Sequence, residues 1–183
     1  MQRKSFFKLF LTGLGYMLLG NFMSTIMTAA LAFMIDNSIV QVVIFILTLF
    51  IFYSLVFLAG YKDGTRERLM VKNKRIEGPI KGRWIRIGLC LWAVMCIPSI
   101  ILLFDKLYAL FDGYIITYRI ICGTVYPLLL AIGINTSSLD IMPIYIPFVA
   151  IAVYAFIPFA THLGYKFGYE DKFNPDKIMY ENK

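Results

Sequence analysis

Five stretches of the sequence are long and nearly free of charge: residues 6–35, 39–60, 84–104, 114–134 and 141–163. About 20 apolar residues cross a hydrocarbon core of ~30 Å as an α-helix. A helix is the only fold open to a single such segment in lipid, because every backbone N–H and C=O needs a partner inside the segment. Composition agrees. Of the 183 residues, 60% are hydrophobic and only 16% charged, against roughly 45–50% and 25% in soluble domains. The expectation is an all-α integral membrane protein, one polytopic domain over 1–183. The first stretch exceeds the core thickness, since thirty residues make about 45 Å of helix. It is expected to tilt, or to open with an interfacial turn while Lys8 snorkels. The basic start "MQRKSFFKLF" imitates a signal peptide, but the apolar run continues without a clear cleavage signal, which fits an uncleaved first span.

Lys and Arg set orientation. Arg3, Lys4 and Lys8 precede the first span, and nine of the 18 basic residues lie in 61–86. Both regions are expected in the cytoplasm, with the short "DNS" turn at 36–38 outside. The fourth stretch decides the rest. If all five span, the four lysines after residue 165 lie outside, for twelve basic residues inside and six out. If the fourth is re-entrant or interfacial on the outer side, the count is sixteen inside and two out. Arg119, Gly123, Pro127 and Gly133 interrupt that stretch. Four spanning helices plus a re-entrant or interfacial outer segment is therefore the expected fold class, five spans the alternative. The protein is expected in the cell membrane, multi-pass, with a basic cytoplasmic loop at 61–86, a cytoplasmic N-terminus and a cytoplasmic tail at 165–183.

Two pentapeptides read nearly alike: "GYKDG" at 60–64 and "GYKFG" at 164–168. In the four-span arrangement both mark the inner membrane boundary, with tyrosine at the headgroups, lysine snorkelling and glycine releasing the chain from the helix. Gly20, Ser24, Thr28 and Ala32 recur at steps of four and form a small-residue packing face. That face suits either a partner subunit or the chain's own helices. Lys62, Arg66, Arg68, Lys72, Lys74 and Arg75 are candidate contacts for anionic lipid, each gaining about 1 kcal/mol near the cytoplasmic leaflet.

Ionisable residues inside a membrane mark function by default. Arg119, six residues into the fourth stretch, is the principal candidate, and Asp105, Asp112 and Asp140 are its candidate ion-pair or co-ligand partners. Cys90, Cys96 and Cys122 lie in apolar runs and are expected as buried free thiols. With His162 the single histidine, the usual zinc donor set is missing. No metal or cofactor is implied, and neither is nucleic acid. "DGTRER" at 63–68 partly resembles the start of the CDP-alcohol phosphatidyltransferase motif, in which paired aspartates hold metal on membrane helices. It departs where the chemistry lives: Glu67 and Arg68 follow Arg66, Lys81 takes one expected acidic place, and two carboxylates are missing. The "GLGYMLLG" at 13–20 has no strand before it and so is no dinucleotide fingerprint. These features point to a non-enzymatic subunit or assembly partner of a membrane complex, with lipid and a membrane protein as partners. The alternative is a small-solute carrier or substrate-binding subunit with an outward-facing pocket.

Overall fold

The computed structural model describes residues 4–31, 38–108, 114–131 and 143–170. They form seven helices and, among the described residues, no strand: α1 (Phe6–Ala30), α2 (Ser38–Lys72), α3 (Arg83–Tyr108), α4 (Tyr114–Ile121), α5 (Tyr126–Ala131), α6 (Ile146–Tyr154) and α7 (Ile157–Glu170). Four are long and apolar enough to cross a membrane: α1, α2, α3, and α6 with α7 taken together. The side chains are distributed for lipid. Phe7, Phe22, Ile39, Phe50 and Phe156 are exposed, while Asn21, Ser24, Thr48, Ser99, Thr124 and Thr161 are buried. Water would favour the reverse.

Local chemistry sets the helix ends. Ser5 caps α1 by accepting the Lys8 N–H at 3.3 Å. α2 runs for 35 residues, about 50 Å, so its last turns extend beyond any bilayer core. It stops in a Schellman turn, with Arg75 N–H donating to Met70 O and Lys74 N–H to Val71 O, both at 2.9 Å. The left-handed residue there is Lys74, at φ 53°. Glycines at 78 and 82 do not end this helix. The α6–α7 span breaks at Ala155 and Phe156 because Pro158 has no N–H to return to the Tyr154 carbonyl.

The bundle is closed by α2 and α7, which touch backbone to backbone. A methyl group on Gly60 would lie 2.9 Å from Tyr165 N, and one on Gly64 2.9 Å from Tyr169 N. Methyls on Gly164 and Gly168 would lie 2.9 Å from the carbonyl carbons of Phe57 and Tyr61. In their place, Cα hydrogens point at the carbonyl oxygens of Thr161, Tyr165, Phe57 and Tyr61, contacts worth about 0.5–1 kcal/mol each. The residue numbers rise together, so the two helices run parallel. This corrects the reading of "GYKDG" and "GYKFG" as helix exits. Both are glycine pairs four residues apart inside continuous helices, packed on each other. Tyr165 is buried, with its hydroxyl on Glu67.

α1 runs antiparallel to α2, with Gly20 against Phe52 and the Ser24 hydroxyl donating to Thr48 O at 3.2 Å. α3 runs antiparallel to α6 and α7: Trp84 O accepts from Thr161, and Trp92 Nε1 donates to Ile151 O. The chain therefore leaves α3 and enters α6 at the same end of the bundle. Between them α4 and α5 insert as a hairpin whose turn, residues 122–125, is buried against α1 and α2. Cys96 and Cys122 are buried as expected, but Cys90 is exposed, facing outward from α3.

Because the glycine contacts are backbone to backbone, no rotamer change relieves a side chain placed there. Gly64→Val and Gly164→Val should each cost about 3 kcal/mol or more, read as a drop in detergent melting temperature. Gly15→Leu should be near neutral, since a methyl there meets nothing within 4 Å. Equal tolerance at all three positions would contradict the contact.

Candidate functional site

The α4–α5 hairpin is built from weak helix formers. "YIITYRII" in α4 is rich in β-branched residues, and Gly123 stops it. Pro127 falls in the first turn of α5, where its missing N–H costs nothing. Non-helical backbone this deep in a bundle must find its hydrogen bonds in protein, and it does. Thr48 shares its hydroxyl proton between Phe45 O at 2.8 Å and Thr124 O at 3.2 Å. Thr25 shares its own between Asn21 O at 2.9 Å and Ile120 O at 3.2 Å. Asn21 Oδ1 accepts from Thr124 at 2.7 Å and from the Tyr154 hydroxyl at 3.4 Å, while its Nδ2 donates to Met95 Sδ at 3.6 Å. Gly123 is needed at the tip, where a methyl would lie 2.9 Å from Thr25 Cβ.

Beside this tip is a cavity of about 270 Å³ lined by Thr25, Thr28, Ala29, Ile116, Arg119, Ile120, Gly123 and Tyr126. The Arg119 guanidinium lies 5.2 Å over the Tyr126 ring, within cation–π range. Of the four candidate ion-pair residues, Arg119 is on this wall. Asp105 is buried in the last turn of α3 and is not part of the wall. Asp112 and Asp140 lie outside the described residues. Of the small-residue face, Gly20, Ser24 and Thr28 are buried; Gly20 and Ser24 face α2 of this same chain, and Ala32 lies outside the described residues.

A second polar cluster sits at the opposite end of the bundle, at residues the sequence reading met only within "DGTRER" and did not take as a cluster. Asp63 and Glu67, one turn apart on α2, are 5% and 2% exposed. Arg83 Nη1 donates to Glu67 Oε1 at 3.2 Å, and the Tyr165 hydroxyl donates to Glu67 Oε2 at 2.5 Å. Trp84 Nε1 donates to Asp63 Oδ2 at 3.0 Å. Arg83 Nη2 also donates to the Lys4 carbonyl, which ties in the start of α1. A cation in the first turn of α3 opposes the helix dipole, so Glu67 and the Lys4 carbonyl hold it there. A signal existed: two acids at i and i+4 within the most basic segment. Of the lipid-contact candidates, Lys62, Lys72, Lys74 and Arg75 are exposed, and Arg66 and Arg68 are half-buried. Lys62 also donates to the Tyr16 hydroxyl at 2.6 Å.

Removing one partner of a buried ion pair costs about 3–5 kcal/mol, because the other is left uncompensated. Arg83→Leu should destabilise the protein by that order, and adding Glu67→Gln should restore a large part. Strictly additive effects in a double-mutant cycle on detergent melting would contradict the pairing.

No protein-family profile, curated protein or solved structure matches this chain.

Proposed function

We propose that the chain is a non-catalytic, multi-pass protein of the cell membrane that binds a small ligand in the Arg119 cavity, as a carrier or as the ligand-binding subunit of a larger membrane assembly. The observation that carries this reading is the buried hairpin tip. Irregular backbone at membrane depth is tolerated where protein shields it or where it lines a cavity, and here it does both. A cation within such a wall is a site by default. The partner role assigned to the small-residue face loses its main support, because Gly20 and Ser24 are covered by α2. The non-catalytic reading is favoured by the engagement of Asp63 and Glu67, whose carboxylates bind Trp84, Arg83 and Tyr165 and tie helices together.

The hairpin belongs to the outer side in this proposal, with four spans and both chain ends in the cytoplasm. Support comes from the parallel α2 and α7, which bring both glycine motifs to one end, and from the basic residues that follow each motif. Lys62, Lys72, Lys74 and Arg75, exposed on that segment, then face anionic lipid.

Single cysteines, in a background lacking the native three, test this topology in intact cells. Ile144→Cys should react with a membrane-impermeant thiol reagent, and Lys166→Cys should resist until the membrane is opened. The reverse pattern would overturn the orientation. For the cavity, protein extracted in mild detergent should carry a small molecule at one per chain, detected by native mass spectrometry. Ala29→Trp, which plugs the wall from an exposed position, should abolish it. Retention of the same molecule in that variant would contradict the site.

A further inference from the structure

The end of α2 carries another cavity, apart from the one beside Arg119. We propose that it binds a phosphate monoester, either a soluble ester or the headgroup of a phosphomonoester lipid. This deepens the reading of the exposed cations of 61–86 as anionic-lipid contacts, and rests on it, by naming the group bound and the side chains that bind it.

The sequence places the site on one face of a helix. Lys62, Arg66, Leu69 and Asn73 recur at steps of four, three and four along α2. The left-handed turn at Lys74 then brings Arg75 beside them. With Thr65 and Met70 these residues line a cavity of about 370 Å³. The acids of the same stretch are occupied elsewhere: Asp63 holds Trp84 of α3, and Glu67 holds Arg83 of α3 and Tyr165 of α7. The last carbonyls of α2 are occupied too, because the Asn73, Lys74 and Arg75 N–H groups donate to Leu69, Val71 and Met70 O at 2.9–3.0 Å. The negative end of the helix is thus capped by its own chain.

Arg66 already has a partner, so the charge offered to a ligand is that of Lys62 and Arg75. Among the described residues neither of these has an ion pair. One Lys62 N–H donates to the Tyr16 hydroxyl at 2.6 Å; that acceptor is neutral, and two ammonium donors remain. Arg75 and Asn73 are exposed, and their side chains make no hydrogen bond among the described residues. An ammonium, a planar guanidinium and an amide, with no acid among the described residues of the wall, match a group with two charges and three acceptor oxygens. A phosphate monoester is such a group, whereas a carboxylate or a phosphodiester carries one charge. The volume lies within the ~300–1,000 Å³ of small-molecule sites and exceeds a bare phosphate. Leu69 and Met70 give the esterified group an apolar surface to lie on.

Delipidated full-length protein in a non-ionic detergent, titrated with glycerol 3-phosphate, phosphatidic acid or phosphatidylglycerol, tests this by native mass spectrometry and melting temperature. A phosphomonoester should bind saturably at one per chain and raise the melting temperature. Phosphatidylglycerol at the same mole fraction should bind roughly tenfold more weakly. Arg75→Gln should weaken phosphomonoester binding about tenfold or more. Leu69→Glu, which sets a carboxylate in the wall at an exposed position, should abolish it. Lys72→Gln removes the same charge from an exposed residue of the same helix outside the wall, and should change binding by less than about twofold. Phosphatidic acid binding with glycerol 3-phosphate inert assigns a lipid headgroup, and glycerol 3-phosphate binding as well as phosphatidic acid assigns a soluble ester; either result supports the proposal. Equal weakening by Arg75→Gln and Lys72→Gln, or phosphatidylglycerol binding as well as phosphatidic acid, would overturn it and leave only diffuse contact with anionic lipid. No binding of any probe would overturn the site and the lipid contact together. If Arg75→Gln fails to fold, Asn73→Ala and Leu69→Glu decide the matter.

Discussion

In lipid, apolar surface gains little by leaving one apolar neighbour for another, so close packing and buried polar contacts decide which helices pair. The pairing of α2 with α7 rests on four glycines, each placing its Cα against the opposite backbone. Two helices this close cannot slide without driving a side chain into a carbonyl. Their parallel direction then constrains the remainder. α3 follows α2 and returns antiparallel, contacting α6 and α7 through Trp84, Gly88 and Trp92. The chain must next travel from the far end of α3 to the start of α6 at that same end, which no single crossing can do. A hairpin that enters and returns would meet the requirement, and α4, the buried turn at 122–125 and α5 lie on that path.

A hairpin buried at this depth needs partners for its turn, and these explain the polar residues inside α1 and α2. Asn21, Thr25 and Thr48 are poor choices for a lipid-facing surface and good ones for a wall that must receive Ile120 and Thr124 carbonyls and the Thr124 hydroxyl. The other end of the bundle is fastened differently. There Glu67 and Asp63 draw in Arg83, Trp84 and Tyr165, joining α2, α3 and α7 where they emerge. The proposed ligand cavity lies between these two fastenings, where α1 and α4 meet beside the hairpin tip.

Segment length made the helices legible. Four of the five apolar stretches hold helices long enough to span, and all four were visible in the sequence on that basis; length did not set them apart from the fourth stretch, which Arg119, Gly123 and Pro127 marked. The twin pentapeptides were also visible, but their meaning was not. A glycine at the end of an apolar run reads equally as a helix exit or as a packing site, and the choice depends on whether a second glycine pair arrives at the same depth. That is information about two distant segments jointly. The end of α2 was hidden for another reason: Lys74 adopts the left-handed conformation that glycine usually marks. Asp63 and Glu67 were masked by the basic residues around them, although their spacing placed them on one face. Arg119 was legible as an isolated charge in an apolar stretch. Its surroundings were not, because they come from α1 and from Tyr126 beyond the turn.

The parallel contact of α2 and α7 is most directly read by cross-linking. The Phe57 and Phe167 rings meet edge to face, with centroids 5.9 Å apart. Cysteines at these two positions, in a background without the native thiols, should join within one chain in intact membranes under mild oxidation or with a short bis-maleimide. A cross-link between Phe57→Cys and Tyr145→Cys instead, with none to position 167, would place the last span antiparallel and contradict the fold.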